Sequence, residues 1–199
     1  MSETTAIAVE PRIFVRPSRD DDVAAMLAIY RHHIAHGLGD VGDYEPQPLD
    51  AEDLKRRRKN MRGRRLPHLV AERGGEIVGY AYAVPFRKRP AYRYAVKHSI
   101  YVRHDILHAG VGRMLLLALI DACAAAGYRQ MLGYIDGANA ASIRLHEAGG
   151  FQQVGRLPSI GYKFGRWTDS VIMQRSLGPG ASAPPEQWTF PLPEGEGQE

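Results

Sequence analysis

Between Val96 and Phe151 the chain reads strand, glycine turn, helix, strand, helix, and its turn is built to hold an anion. Val96 to Val102 (VKHSIYV) is a short apolar strand, and His108 to Arg113 (HAGVGR) runs straight into the apolar helix MLLLALIDACAAAG. YRQMLGYID supplies another strand, and Asn139 opens a helix that ends at Gly149, Gly150 and Phe151. A glycine turn feeding a helix N-terminus aims free backbone N–H groups and the positive end of the helix dipole at one point. Which anion binds there decides most of the function.

The flanking segments extend this into a sheet. HLVAER and EIVGYAYAV surround Gly74-Gly75, a hairpin signal. Ile13 to Val15 is a first strand. Asp20, Asp21 and Asp22 start a helix through His33, with Val23, Met26, Leu27 and Tyr30 at helical spacing. SVIMQRSL forms a last strand. A hairpin, then strand–helix–strand–helix, then closing strands predicts an α/β fold with one mixed sheet and helices on both faces.

At 199 residues and 44% hydrophobic, the chain has room for one such domain. Residues 1–11 read as a polar lead-in and 12–178 as the folded domain. Residues 179–199 form a tail rich in Pro, Gly and Glu, where Trp188 and Phe190 are the apolar exceptions. No apolar run approaches the roughly 18–20 residues of a membrane span, and MSETTAIAVE lacks the parts of a signal peptide. A cytoplasmic protein without a membrane partner is expected. Cys123 is the only cysteine and sits in an apolar helix, which suits a buried structural thiol.

The net charge of +4 and pI near 9.3 trace to one segment. Lys55 to Arg65 (KRRRKNMRGRR) holds eight basic residues, and removing them from +4 leaves −4 elsewhere. Such a run reads as the solvated face of a helix, with an acidic partner, a membrane surface or RNA as the other options. No aromatic residue interleaves with it, which argues against stacking on nucleic-acid bases. His104 and His108 with Asp105 are too sparse a set for a metal, and none is expected.

On these residues the segment Val96 to Phe151 resembles the core of the GNAT superfamily of acetyl-CoA-dependent N-acetyltransferases. SIYV, AASIRLHEAGGF and VGRLPSIGYKFGRW-x-D are similar to the branch that holds the phosphinothricin and methionine sulfone or sulfoximine acetyltransferases. That branch's Gly-x-Lys-x-Gly-x-Trp-x-Asp pattern stands here as Gly161, Lys163, Gly165, Trp167 and Asp169. The resemblance runs over about residues 12–178. It implies the GNAT fold, whose central sheet of six to seven strands is splayed between two parallel neighbours, with pantetheine inserted there.

The same resemblance implies a set of site residues. Backbone groups of Ile100, Tyr101 and Val102 would meet pantetheine, with an N–H near Val102 polarising the thioester carbonyl. His108, Ala109, Gly110, Val111, Gly112 and Arg113 would surround the pyrophosphate, and Asn139 would stand beside pantetheine. Leu107 occupies a position that is normally Arg or Gln, and His108 and Ala109 replace the usual small and basic residues. Glu45 would attract the acceptor amine and relay its proton, and His146 would serve the leaving thiolate. Phe86, Arg87, Tyr92 and Arg93 lie in the segment matching the family's substrate lining, where guanidinium groups suit a carboxylate or phosphinate.

Lys97 departs most from the pattern, because many members of the family it resembles carry a Glu there as a candidate general base. An ammonium does not accept a proton at neutral pH. Lys97 therefore binds a substrate carboxylate, serves as a structural ion-pair partner, or marks lost activity. The expected function is acetyl transfer from acetyl-CoA to a small amino-acid-like amine, by direct attack in a ternary complex and in a homodimer. A polyamine, an antibiotic or a protein N-terminus is the alternative acceptor, and a non-catalytic acyl-CoA-binding module is the alternative class.

Overall fold

A computed structural model of the chain describes residues 11–36 and 50–185. Among the described residues seven strands form one sheet in the order β1-β2-β3-β4-β5-β7-β6. They are β1 (Ile13–Pro17), β2 (His68–Arg73), β3 (Glu76–Pro85), β4 (Ala95–Val102), β5 (Gln130–Asp136), β6 (Gln152–Lys163) and β7 (Arg166–Ser176). Every neighbouring pair is antiparallel except β4 and β5. The helices are α1 (Val23–Ala35), α2 (Ala51–Gly63), α3 (Val111–Ala125) and α4 (Ala140–Ala148). The expected mixed α/β sheet is present, and Asp20–Asp22 form a short 3-10 turn ahead of α1.

Two opposed apolar clusters hold the layers together. On one side α3 turns Val111, Leu115, Leu116, Leu119, Ile120 and Cys123 toward the sheet, at the spacing of one helix face. Burial pushes the Cys123 thiol up to about 12, which leaves it an inert packing group. The approach is close at Gly79, where a Cβ would lie 2.9 Å from Tyr101 O and 3.0 Å from Leu115 Cδ1. On the other side α1 packs Val23, Met26, Leu27, Ile29 and Tyr30 against Val70, Tyr80 and Tyr101, joined by Leu54 of α2. Among the described residues no helix is long and apolar enough to cross a membrane.

The Gly74-Gly75 turn is as expected, with φ of 58° and 85° in a two-residue hairpin. The C-terminal part differs more from the sequence reading. β6 covers the motif region that the sequence did not mark as a strand, and it pairs with a β7 longer than SVIMQRSL. Phe164 and Gly165 turn this hairpin, both at positive φ. Asp169 anchors it: its carboxylate accepts from Ser159 N at 2.8 Å and from Arg156 Nε at 2.8 Å, and its carbonyl accepts from Gly137 N at 2.9 Å.

The basic run is not one solvated face. Leu54, Arg58 and Met61 form a buried stripe along α2, and Arg58 is only 5% exposed. Its guanidinium donates to Ser18 O and Oγ and pairs with the Asp20 carboxylate. Lys55 and Arg56 pair within the helix with Glu52 and Asp53.

Candidate active site

β4 and β5 are paired only over Ala95–His98 and Gln130–Gly133. Beyond that point β4 stays with β3 and β5 stays with β7, so the two strands part. The ladder fixes which groups face the gap. Phe86 N donates to Ala95 O and Arg103 N to Val78 O, which makes 95, 97, 99, 101 and 103 the residues bonded to β3. Ile100 and Val102 therefore turn their N–H and C=O groups toward the gap. The Val102 carbonyl is engaged by His33 Nε2 at 2.8 Å, and its N–H remains directed at the cleft.

Tyr101 is placed differently from the sequence expectation. Its backbone faces β3, and its ring is 2% exposed in the opposite cluster, stacked 4.9 Å from Tyr80 and edge-on to Tyr30. It supports the strand from behind and offers nothing to the cleft.

The glycine turn lies at the open end of this gap. His108 and Gly110 take φ of 67° and 80°, and Val111 begins α3 with its first-turn N–H groups pointing out of the helix end. A Cβ at Gly110 would meet nothing within 4 Å, which leaves room for a bulky anion. One at Gly112 would sit 3.3 Å from Leu145 Cδ2 and 3.6 Å from Val102 Cγ2, so Gly112 lets α3 approach α4 and β4. His108, Ala109 and Arg113 are exposed around the turn, as is Leu107. Asn139 lines the cleft and caps α4, its side chain accepting from Ser142 N at 3.0 Å. These features fit a pyrophosphate at the turn and an amide chain along β4.

Two buried histidines form the inner wall of the cleft. His98 Nε2 and His146 Nε2 are 2.8 Å apart. His98 Nδ1 lies 2.9 Å from Leu132 O, and His146 Nδ1 lies 2.7 Å from Ser142 O. Burial pushes His98 down to about 3, helped by its neighbour, and burial likewise lowers His146. Gly133 makes space for both rings: a Cβ there would be 3.0 Å from His98 Cε1 and 3.3 Å from His146 Nε2. His98 was not singled out in the sequence, where it reads as one more residue of an apolar strand.

A cavity of about 1000 Å³ opens on the α1–α2 side of the same strands. The sheet contributes Tyr82, Val84, Lys97, Ser99 and Tyr134, and α1 contributes Tyr30. Arg57, Lys59, Asn60 and Arg64 bring α2 and its end into the wall, so the basic run borders this cavity. Lys97 stands opposite Val84 on β3, its ammonium 5.8 Å from the Tyr134 ring centroid. Phe86, Arg87, Tyr92 and Arg93 are not in the lining. They pack on one another instead: the Phe86 and Tyr92 rings are 5.5 Å apart, with the Arg87 guanidinium over both, and Arg93 lies over Tyr94. Glu45 and Tyr44 lie outside the described residues, as do Trp188 and Phe190.

Known proteins are similar to this chain over most of its length. A family model described as an acetyltransferase (GNAT) domain matches residues 15–172. A phosphinothricin N-acetyltransferase of Alcaligenes faecalis is 45% identical over 173 residues, covering 86% of each chain. An L-methionine sulfoximine/L-methionine sulfone acetyltransferase of Pseudomonas aeruginosa is 36% identical over 171 residues, covering 85% of this chain and 98% of its own. Among solved structures, a GNAT phosphinothricin acetyltransferase from Sinorhizobium meliloti in complex with acetyl-CoA aligns with a TM-score of 0.84 at 37% identity, over 90% of this chain and 96% of the other. The parted strands, the glycine turn at the head of α3 and these relatives agree: the chain belongs to the GNAT acetyltransferase family.

Proposed function

We propose that the protein transfers the acetyl group of acetyl-CoA to the amine of a small amino-acid-like acceptor with an anionic end. The observation that carries this reading is the cationic cavity beside the cleft. Arg57, Lys59, Arg64 and Lys97 border it, and no carboxylate is among its described lining residues. A zwitterionic amino acid with a further carboxylate, sulfone or phosphinate group suits such a wall through charge-assisted hydrogen bonds. The named substrates of the relatives from Alcaligenes faecalis and Pseudomonas aeruginosa are of this kind.

In this reading the pyrophosphate rests on the His108–Arg113 turn and pantetheine runs along Ile100 and Val102. The Val102 N–H meets the thioester carbonyl, and attack is direct within a ternary complex. Glu45 or a water chain takes the ammonium proton, and Lys97 binds an anionic group of the acceptor. A homodimer in the cytoplasm completes the picture. The β6–β7 hairpin supports dimerisation by exposing Val154, Ile160, Tyr162, Phe164 and Trp167, apolar side chains that a second copy would cover. Comparing each acceptor with its carboxyl-amide counterpart tests the central element. The reading expects kcat/KM to fall at least about tenfold when the carboxylate is removed, and equal values would reject a cationic recognition site.

A further inference from the structure

His98, Ser99 and Tyr134 line both the acceptor cavity and the cleft, whereas His146 lines the cleft alone. The two histidines thus connect the place of the amine with the place of the sulfur. Their hydrogen bonds do not balance in the neutral state. Each Nδ1 faces a carbonyl oxygen, which only accepts, so each Nδ1 must carry a hydrogen. The 2.8 Å contact between the Nε2 atoms needs a third, and two neutral imidazoles supply two. The neutral pair therefore has one vacant hydrogen position, at its centre.

We propose that His98 and His146 act as one proton-relay pair, in which His98 positions His146 and the vacancy between their Nε2 atoms carries the amine's second proton to the CoA sulfur. This rests on the acetyl-transfer reading above. The first ammonium proton leaves before attack. As the C–N bond is completed, nitrogen releases its second hydrogen into the Nε2 contact. As the C–S bond breaks, its electron pair goes to sulfur, which takes that hydrogen and leaves as a thiol. The pair ends as it began.

The surroundings suit a transient charge better than a resting one. Burial disfavours a permanent cation, while the last turn of α4, where His146 sits, favours a brief one through the helix dipole. Asp136, held by Lys163, and Tyr134 are the other ionisable groups lining the cleft among the described residues.

Histidine ring-nitrogen NMR on the full chain tests the pairing with no acceptor present. Replacing either histidine with Gln should shift the ring signals and the titration of the other, since coupled rings titrate as a unit. Independent behaviour overturns the pair. Turnover tests the relay: His98→Gln keeps a donor toward His146 but cannot hold a proton as a cation. It should lose about 100-fold in kcat, the low end of acid–base assistance, with the KM for acetyl-CoA within about twofold and an altered pH–rate profile. Gly133→Ala should do the same by crowding the rings. Wild-type kcat and pH profile in His98→Gln would overturn the relay. A wild type inactive on every amine would remove the acetyl-transfer reading and the relay with it, while the NMR result would still decide whether the rings are paired.

Discussion

Lys163 Nζ lies 2.6 Å from Asp136 Oδ2, with 3% and 5% of the two side chains exposed. The pair joins the β6–β7 hairpin to the end of β5, at the rim of the cleft between β4 and β5. It gives a structural meaning to the Lys of the Gly-x-Lys-x-Gly-x-Trp-x-Asp pattern, while Asp169 of the same pattern braces Gly137 just beyond β5.

Removing one partner of such a pair leaves a buried charge without compensation. Lys163→Met should therefore cost about 3–5 kcal/mol in denaturant unfolding. Adding Asp136→Asn should recover most of that loss, because Asn keeps the acceptor for Ala138 N and drops the charge. If the double variant is no more stable than the single, the pair is not what holds the hairpin.

The proposed pyrophosphate site can be tested at one glycine. Gly110→Glu adds bulk and a like charge where the anion belongs, at a φ of 80° that already disfavours side chains. Calorimetry should show acetyl-CoA affinity falling by at least about 100-fold, near 2.7 kcal/mol. Unchanged affinity in a folded variant would move the cofactor elsewhere.

The wall of α2 makes a prediction that its charge alone does not. Lys59→Gln and Arg64→Gln should each raise KM for an anionic acceptor by about tenfold, leaving kcat and acetyl-CoA affinity close to wild type. Equal effects on a neutral amine would show that these residues act on the fold rather than on the acceptor.

His68 sets a pH dependence of stability. Its ring is 6% exposed, stacked on Tyr80 and Tyr82, and neither nitrogen has a hydrogen-bond partner among the described residues. Burial, with Arg58 nearby, pushes it down to about 4. From about pH 6.5 down to that value the unfolded chain binds a proton that the folded chain refuses, so stability is lost as pH falls through this window. His68 alone should account for about 3 kcal/mol between pH 7 and 4, and His98 and His146 act with the same sign. His68→Phe should flatten the slope without loss of stability at pH 7. A slope equal to wild type would assign the effect to other groups.

The segment from β4 to α4 was legible because strand alternation, a glycine turn and helix caps are all local signals. The α2 wall was hidden for the opposite reason. Eight cations mask the stripe of Leu54, Arg58 and Met61, and Arg58 is buried only because Ser18 and Asp20, far away in the chain, receive it. β6 escaped notice because its bulges at Gln153–Gly155 and Leu157–Gly161 break the alternation that marks a strand. The family resemblance implies acceptor contacts for Arg87 and Arg93, yet nearby rings take them up. Tyr101 illustrates how one step along a strand reverses both the ring and the backbone groups.

In the proposed function, the parted strands and the cationic cavity together perform acetyl transfer to an amino-acid-like amine. Thiol release from acetyl-CoA, with the product mass determined, measures this directly across amino acids, sulfones, phosphinates and polyamines. One thiol per N-acetylated product is expected, fastest with acceptors that carry an anionic end, and Lys97→Glu should shift the preference away from them. A protein that binds acetyl-CoA tightly, releases no thiol with any of these amines and becomes active only as Lys97→Glu would contradict it.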